Sequence, residues 1–290
     1  MAMLKACARN KDIYRGIRIH ADLSKTGLLE KKSPYLVSAL ISMYARCGEL
    51  AKAHGVLQQQ DLRCLVSWNA LISGYAAQQG HPALPCFERM HTEGISPDAV
   101  TLMCTLKACG KIGAIHKGKQ IHSRIVGTSL LRDDIVLGTA LVSFYSKCGV
   151  LLEAQQVLEE LHTRDTVSWS TLIAGYAQQG QGHAALGCFE QMRSEGHSPD
   201  VVTFISILQA CGSTRSIKFG RQIHDEIVSQ GMLEKDPVLG NALLDMYAKC
   251  GVLAKAQQVF QKLPVRDIIS WNAMMSGYVQ QERCQEALTC

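Results

Sequence analysis

SWNALISGYAAQQG (67–80), SWSTLIAGYAQQG (168–180) and SWNAMMSGYVQQ (270–281) are three copies of one segment. Their tryptophans, Trp68, Trp169 and Trp271, stand 101 and 102 residues apart. The interval holds elsewhere. Cys47, Cys148 and Cys250 repeat at the same two spacings, and Cys7, Cys109 and Cys211 repeat at 102, as do His20, His122 and His224. A period this regular predicts stacked units that bury a continuous core between neighbours. Function is then expected along a surface and not in a single pocket.

Each long period divides into three shorter units. ALISMYARCG (39–48), ALVSFYSKCG (140–149) and ALLDMYAKCG (242–251) define one type at 34–64, 135–165 and 237–267. The tryptophan type follows at 65–98 and 166–200 and begins again at 268. A type carrying an Ile-His pair spans 99–134 and 201–236, with a partial copy at 1–33. The lengths cycle through roughly 31, 35 and 36.

Within a unit the pattern is helical. Leu151, Ala154, Val157, Leu158 and Leu161 share one face, matched by Leu253, Ala256, Val259, Phe260 and Leu263, the spacing of an amphipathic helix that buries a stripe. Gly149 and Gly251 break the chain between helices. Pro82 suits the start of a second helix. Pro97 and Pro199 in ISPD (95–98) and HSPD (197–200) stop one helix, and the aspartates open the next. The expected fold class is all-α, an α-solenoid of helix-turn-helix repeats.

Composition supports a packed chain. Of 290 residues 47% are hydrophobic and 19% charged, so a core is available and disorder is not indicated. A net charge of +5 permits a polyanionic partner without demanding one. The twelve cysteines contain no CxxC pair, and most fall in repeat columns, including Cys86 with Cys188. They read as small buried packing residues, reduced and metal-free. No apolar run is long enough to span a membrane. The start, MAMLKACARNKDIYRGIRIHADL, aligns with the repeat through Ala6, Cys7, Gly16 and His20. It is therefore expected to be repeat and not a transit peptide, in a fragment of a longer array.

The alternating unit lengths, with VSWNALISGYA…CFERM…GISPD, VVTFISILQACG…GRQIHDEIV and NALLDMYAKCG…AQQVFQKL…RD, closely resemble the pentatricopeptide repeat family. They resemble in particular its plant subclass of P, L and S motifs. The resemblance covers the whole chain and assigns a partial L motif at 1–33, S at 34–64, P at 65–98, L at 99–134, S at 135–165, P at 166–200, L at 201–236, S at 237–267 and a partial P at 268–290. It implies a right-handed superhelix and single-stranded RNA binding, one base per repeat. It further implies the specificity module of an organellar RNA editing or processing factor. The partner would be a mitochondrial or chloroplast transcript, possible companions would be other editing or processing factors, and the chain would be a monomer away from membranes. No cofactor is implied.

By the same resemblance, the fifth and last residues of each motif choose the base. These are Asn69 with Asp98, Thr139 with Asp165, Ser170 with Asp200, Asn241 with Asp267, and Asn272. An amide both donates and accepts, as uracil's edge requires. A small hydroxyl beside a carboxylate suits the donors of guanine. Helix N-capping alone would also place aspartate at the last position. The second residues would pack against base faces: Tyr35, Val66, Val100, Val136, Val167, Val202, Val238 and Ile269. Their apolar character alone fits a core position equally well. The L motifs depart from the pattern, with Met103 and Ile205 at the fifth position. So does the pair Ser38 and Cys64.

A cation recurs at the thirteenth position as Arg9, Arg46, Lys111, Lys147 and Lys249. One reading is phosphate contact. The other is a helix C-terminus that favours positive charge. No H-x-E with P-C-x-x-C, no P-loop and no nucleophile constellation occurs, so catalysis is not expected of these residues. From another class, a protein-binding helical scaffold would explain the repeats. It would not explain the restricted polar residues at fifth and last positions.

Overall fold

A computed structural model describes residues 1–28, 33–59, 64–78, 80–127, 134–233 and 236–289. Among these residues all regular structure is helical. The cysteine reading at position 290 lies outside them. The chain forms two compact units, Met1–Cys148 and Gly149–Cys290.

In the first unit, helices α1 (Ala2–Asn10) and α2 (Ile13–Lys25) form a hairpin. They are followed by α3 (Pro34–Arg46) with α4 (Leu50–Gln58), α5 (Leu65–Gln78) with α6 (Ala83–Thr92), α7 (Ala99–Ile112) with α8 (Ile115–Gly127), and then α9 (Ile135–Lys147). The odd-numbered helices pack on one another in series, α1 on α3, α3 on α5, α5 on α7 and α7 on α9. Each even-numbered helix wedges between its own partner and the next odd-numbered one. This is the packing of an α-solenoid.

The second unit repeats the scheme with α10 (Leu151–Glu160), α11 (Thr166–Gln178), α12 (Gly182–Ser194), α13 (Val201–Thr214), α14 (Ile217–Ser229), α15 (Pro237–Lys249), α16 (Leu253–Lys262), α17 (Ile268–Gln280) and α18 (Cys284–Thr289). Here α11, α13, α15 and α17 form the series of first helices.

The helix boundaries follow the sequence signals. Pro82 stands at the N-cap of α6. Asp98, Asp165 and Asp200 cap α7, α11 and α13 with reciprocal capping boxes through Thr101, Ser168 and Thr203, each cap contributing about 0.5–2 kcal/mol. Gly149 and Gly251 adopt φ of 73° and 76°, the left-handed conformation that a side chain would strain. The stripe Leu151, Ala154, Val157, Leu158 and Leu161 is buried. Trp68 and Trp169 are among the largest fully enclosed side chains.

The Ile-His columns have a specific use. His20 Nδ1 meets the Tyr44 hydroxyl, His122 meets Tyr145 and His224 meets Tyr247, each at 2.8 Å. Every such pair ties the second helix of one hairpin to the first helix of the next. In the same register Gly118 lies against the Phe144 ring and Gly220 against Met246, so any side chain there would displace the neighbour.

The cysteines Cys7, Cys86, Cys104, Cys109, Cys188 and Cys211 are buried, while Cys284 is exposed. Burial pushes the Cys86 and Cys188 thiols up to about 11 and those of Cys109 and Cys211 up to about 12, which suppresses thiolate chemistry. Among the described residues no group of three or more His, Cys, Asp or Glu is placed to hold a metal ion, and no helix is long and apolar enough to cross a membrane.

Candidate nucleic-acid interface

The first helices carry buried residues toward their neighbours and a different set on their open side. All eight second-position residues are exposed, from 46% at Val100 to 67% at Tyr35. The core reading of these aliphatics is thereby excluded. Each sits in the first turn of its helix, where its Cβ points away from the packed side.

In the first unit this open side forms a groove of about 720 Å³ lined only by first-helix residues and Met1. It gathers Tyr35, Val66 and Val100 from the second positions, Ser38 and Asn69 from the fifth, and Arg9 and Arg46 from the thirteenth. Ala39 and Ala70 from the sixth positions and Ser42 and Ser73 from the ninth complete it. The second unit repeats the arrangement in a groove of about 280 Å³, with Val238, Ile269, Ile205, Asn241, Ala242, Gln209, Asp245 and Lys249. Positions 2, 5, 6, 9 and 13 are i, i+3, i+4, i+7 and i+11, one continuous helix face. That spacing marks the sixth and ninth positions in the sequence as members of the same face.

The last-position aspartates serve two purposes at once. Asp98 Oδ1 accepts the Thr101 backbone N–H at 2.8 Å as an N-cap. The same carboxylate accepts Asn69 Nδ2 at 3.0 and 3.1 Å. Asp267 accepts the Ser270 N–H at 2.8 Å and Asn241 Nδ2 at 3.3 Å on both oxygens. Capping and pairing with the fifth residue are therefore compatible. Burial raises the Asp98 carboxyl, but the Thr101 backbone and hydroxyl and the Asn69 amide outweigh it and hold the pKa below the usual value. At Asp267 the Ser270 N–H is the leading cause of a downward shift, which the Asn241 amide reinforces.

The remaining pairs differ. Ser170 is buried, and its hydroxyl donates to the Val167 carbonyl at 3.1 Å instead of reaching Asp200. Thr139 is half-buried on α9 in the first unit, and Asp165 caps α11 in the second at 2.7 Å from the Ser168 N–H. Asn272 is exposed on α17. Met103 and Ile205 are half-buried. Cys64 has no carboxylate to offer, and Ser67 exchanges hydrogen bonds with its backbone in place of an aspartate cap.

The cations separate into two classes. Lys111 Nζ donates to the Ala77 and Gln78 carbonyls at 2.9 and 2.6 Å, closing the C-terminus of α5. Lys249 pairs with Asp245 at 2.7 Å. Lys147 lays its stem along Gly110. Arg9, Arg46 and Lys147 are exposed and are the cations in this column whose charge is not engaged by a described side chain or carbonyl.

Comparison with known proteins agrees with this architecture. A profile of the PPR repeat family matches residues 164–213, one of the PPR repeat matches 35–59, 241–268 and 269–290, and one of the pentatricopeptide repeat domain matches 57–112. A chloroplastic pentatricopeptide repeat-containing protein of Arabidopsis thaliana is 34% identical over 99% of this chain and 46% of its own length. A mitochondrial one is 37% identical over 99% of this chain and 45% of its own length. The chain thus spans less than half the length of these relatives. Among solved structures, the pentatricopeptide repeat protein PPR10 in complex with an 18-nt psaJ RNA element superposes with a TM-score of 0.78 at 21% identity, covering 94% of this chain and 41% of that one. The hairpin series, the repeated sequence columns and these matches agree, and the chain belongs to the pentatricopeptide repeat family.

Proposed function

We propose that the open face of the first helices binds single-stranded RNA in a sequence-specific manner, one base per repeat. The observation that carries this reading is the recurrence of one constellation in both units. An exposed aliphatic, a half-buried polar residue beside a carboxylate and a basic residue share one helix face. Exposed aliphatics at a fixed interval offer apolar spacers between bases, and the amide–carboxylate pairs offer edge contacts. PPR10, which shares the fold, is an RNA-bound protein by its own description.

With the RNA running parallel to the protein, the motif assignment gives a preference for 5′-U-n-G-G-n-U-3′, followed by a pyrimidine at Asn272. The undetermined bases face the L motifs with Met103 and Ile205. The second G is the weaker element, because the Ser170 hydroxyl is bound to its own helix. The biological setting is an organellar transcript, in keeping with chloroplastic and mitochondrial relatives. Within the plant P–L–S subclass the role is target selection for an editing or processing machinery, with the chemistry performed elsewhere.

Fluorescence anisotropy at one stated salt concentration tests the reading, since counterion release makes affinities at different salt incomparable. The matched RNA binds more tightly than a scrambled one. Thr139→Asn moves the preference at the third base from G toward U by about 1–3 kcal/mol. Equal binding of matched and scrambled RNA, with no change on Thr139→Asn, sinks base recognition and leaves the fold untouched.

A further inference from the structure

Two repeats carry the same asparagine–aspartate pair, yet their amides are held differently. At Asn69 the amide Nδ2 donates to Asp98, and the carbonyl Oδ1 receives the Thr101 hydroxyl at 2.5 Å. Thr101 is wholly buried and stands at the third position of the following motif. Its Oγ1 also lies 2.8 Å from Asp98 Oδ1. The Asn69 carbonyl is therefore turned inward onto a hydroxyl, and both ends of the amide are fixed.

At Asn241 the amide Nδ2 likewise donates to Asp267. The third residue of the following motif is here Ser270, also wholly buried, and its hydroxyl turns to the Asp267 backbone carbonyl at 2.8 Å. Among the described residues, Asn241 Oδ1 is enclosed and meets no donor. A buried carbonyl without a donor is unfavourable, so this amide lacks the restraint that holds Asn69. Threonine's branched Cβ restricts χ1 more than serine's does, and here the Ser270 hydroxyl is held on the Asp267 carbonyl and away from Asn241.

We infer that Thr101 is a positioning residue that sets base discrimination by Asn69, and that Ser270 leaves Asn241 more permissive. The inference rests on the base-per-repeat reading above. Uracil's N3 is a donor and cytosine's an acceptor, and ring position 4 carries an O4 acceptor in the first and an N4 amine donor in the second. An amide locked with its carbonyl inward presents only N–H to that position and rejects cytosine. An amide free to turn offers its carbonyl to the amine and tolerates cytosine. Satisfied polar networks confer this kind of rigidity, and partly satisfied ones do not. The serine pair shows the arrangement needs a long enough fifth residue, because Ser170 does not reach Asp200 although Thr203 bonds that carboxylate at 2.7 Å.

The test measures Kd for four RNAs built on 5′-U-n-G-G-n-U-3′, with U or C at the first and at the sixth base, at one salt concentration. The C-to-U ratio of Kd is expected to be several-fold larger at the first base than at the sixth. Thr101→Ser lowers the ratio at the first base to that of the sixth and leaves the sixth unchanged. Ser270→Thr raises the ratio at the sixth base alone. Thermal melting followed by circular dichroism checks that both variants fold. Equal ratios in the unmodified chain, or a Thr101→Ser effect on both bases or neither, overturns the inference. Asn69→Ala separates the two levels. If it abolishes discrimination at the first base while Thr101→Ser does nothing, only the positioning role fails. If Asn69→Ala also leaves discrimination intact, the base-per-repeat reading fails and takes the positioning role with it.

Discussion

Val66 and Trp68 stand two residues apart on one helix, and Val167 and Trp169 repeat the pair a full period later. The tryptophans are enclosed, and the valines project from the open side. The same contrast continues along α5, where Leu71, Ile72 and Tyr75 pack inward while Asn69 and Ala70 line the groove. The packed side accounts for the fold, because it buries aromatic and branched side chains between successive hairpins. The open side carries an equally regular pattern that contributes little burial. A regular pattern with so little packing value points to a ligand. Stability and recognition are therefore expected to separate cleanly by mutation, and the three tests below probe that separation.

Trp169→Ala produces the largest effect. The indole is enclosed and its Nε1 donates to Glu195 at 3.3 Å. Removing it costs about 3–5 kcal/mol through lost transfer energy and a residual cavity. Chemical denaturation of the purified chain reads this directly. A loss below about 1 kcal/mol, the ordinary scale of a point mutation, would show that the packed side does not hold the hairpins together as described.

The division of labour was partly legible before the structure. Helix pairs and caps followed from Trp68, Gly149, Pro82 and Asp98, because those residues act locally or through a fixed period. The second-position valines were ambiguous, since an apolar residue in a first turn reads as core until the direction of its Cβ is known. The His–Tyr ties were also hidden. His224 and Tyr247 belong to different motifs, and nothing local marks them as partners. The Thr101 contact with Asn69 spans 32 residues and depends on the aim of one hydroxyl. Of the thirteenth-position cations, only the structure distinguishes Lys111, bound to the end of α5, from the unengaged Arg46.

Acidification probes the packed side more gently. Burial lowers the pKa of His224, which Lys255 and Lys262 lower further and Asp225 raises, and burial also lowers that of His20. A folded-state pKa below 6.5 means that the unfolded chain takes up the proton first. The contribution of these histidines to stability is therefore complete above pH 6.5 and is lost as pH falls through the folded pKa. Tm is expected to fall as pH is lowered from 7.5 toward 5. His224→Gln, which keeps a group able to bond Tyr247, flattens the profile. A Tm that rises on acidification in this window would contradict the burial of both rings.

Val202→Ala should have the smallest effect on stability and a distinct effect on binding. Val202 is 53% exposed at the start of α13, and surface substitutions of this kind usually stay within about 0.5 kcal/mol. Its role, if it separates two bases, is to cover part of their faces. Trimming it to alanine removes about two methyl groups of contact, on the order of 1 kcal/mol after partial exposure is allowed for. That corresponds to roughly a fivefold rise in Kd. Because an aliphatic contact to a base face carries no edge information, the rise should be the same for U, C, A or G at the neighbouring bases. The Asn69 and Thr139 substitutions should instead change preference. A Val202→Ala chain that melts at the unmodified temperature and binds matched RNA several-fold more weakly, with base preference intact, would place the column on the recognition side of the helix. Unchanged affinity would remove the second positions from the interface and leave recognition to the fifth and last residues alone.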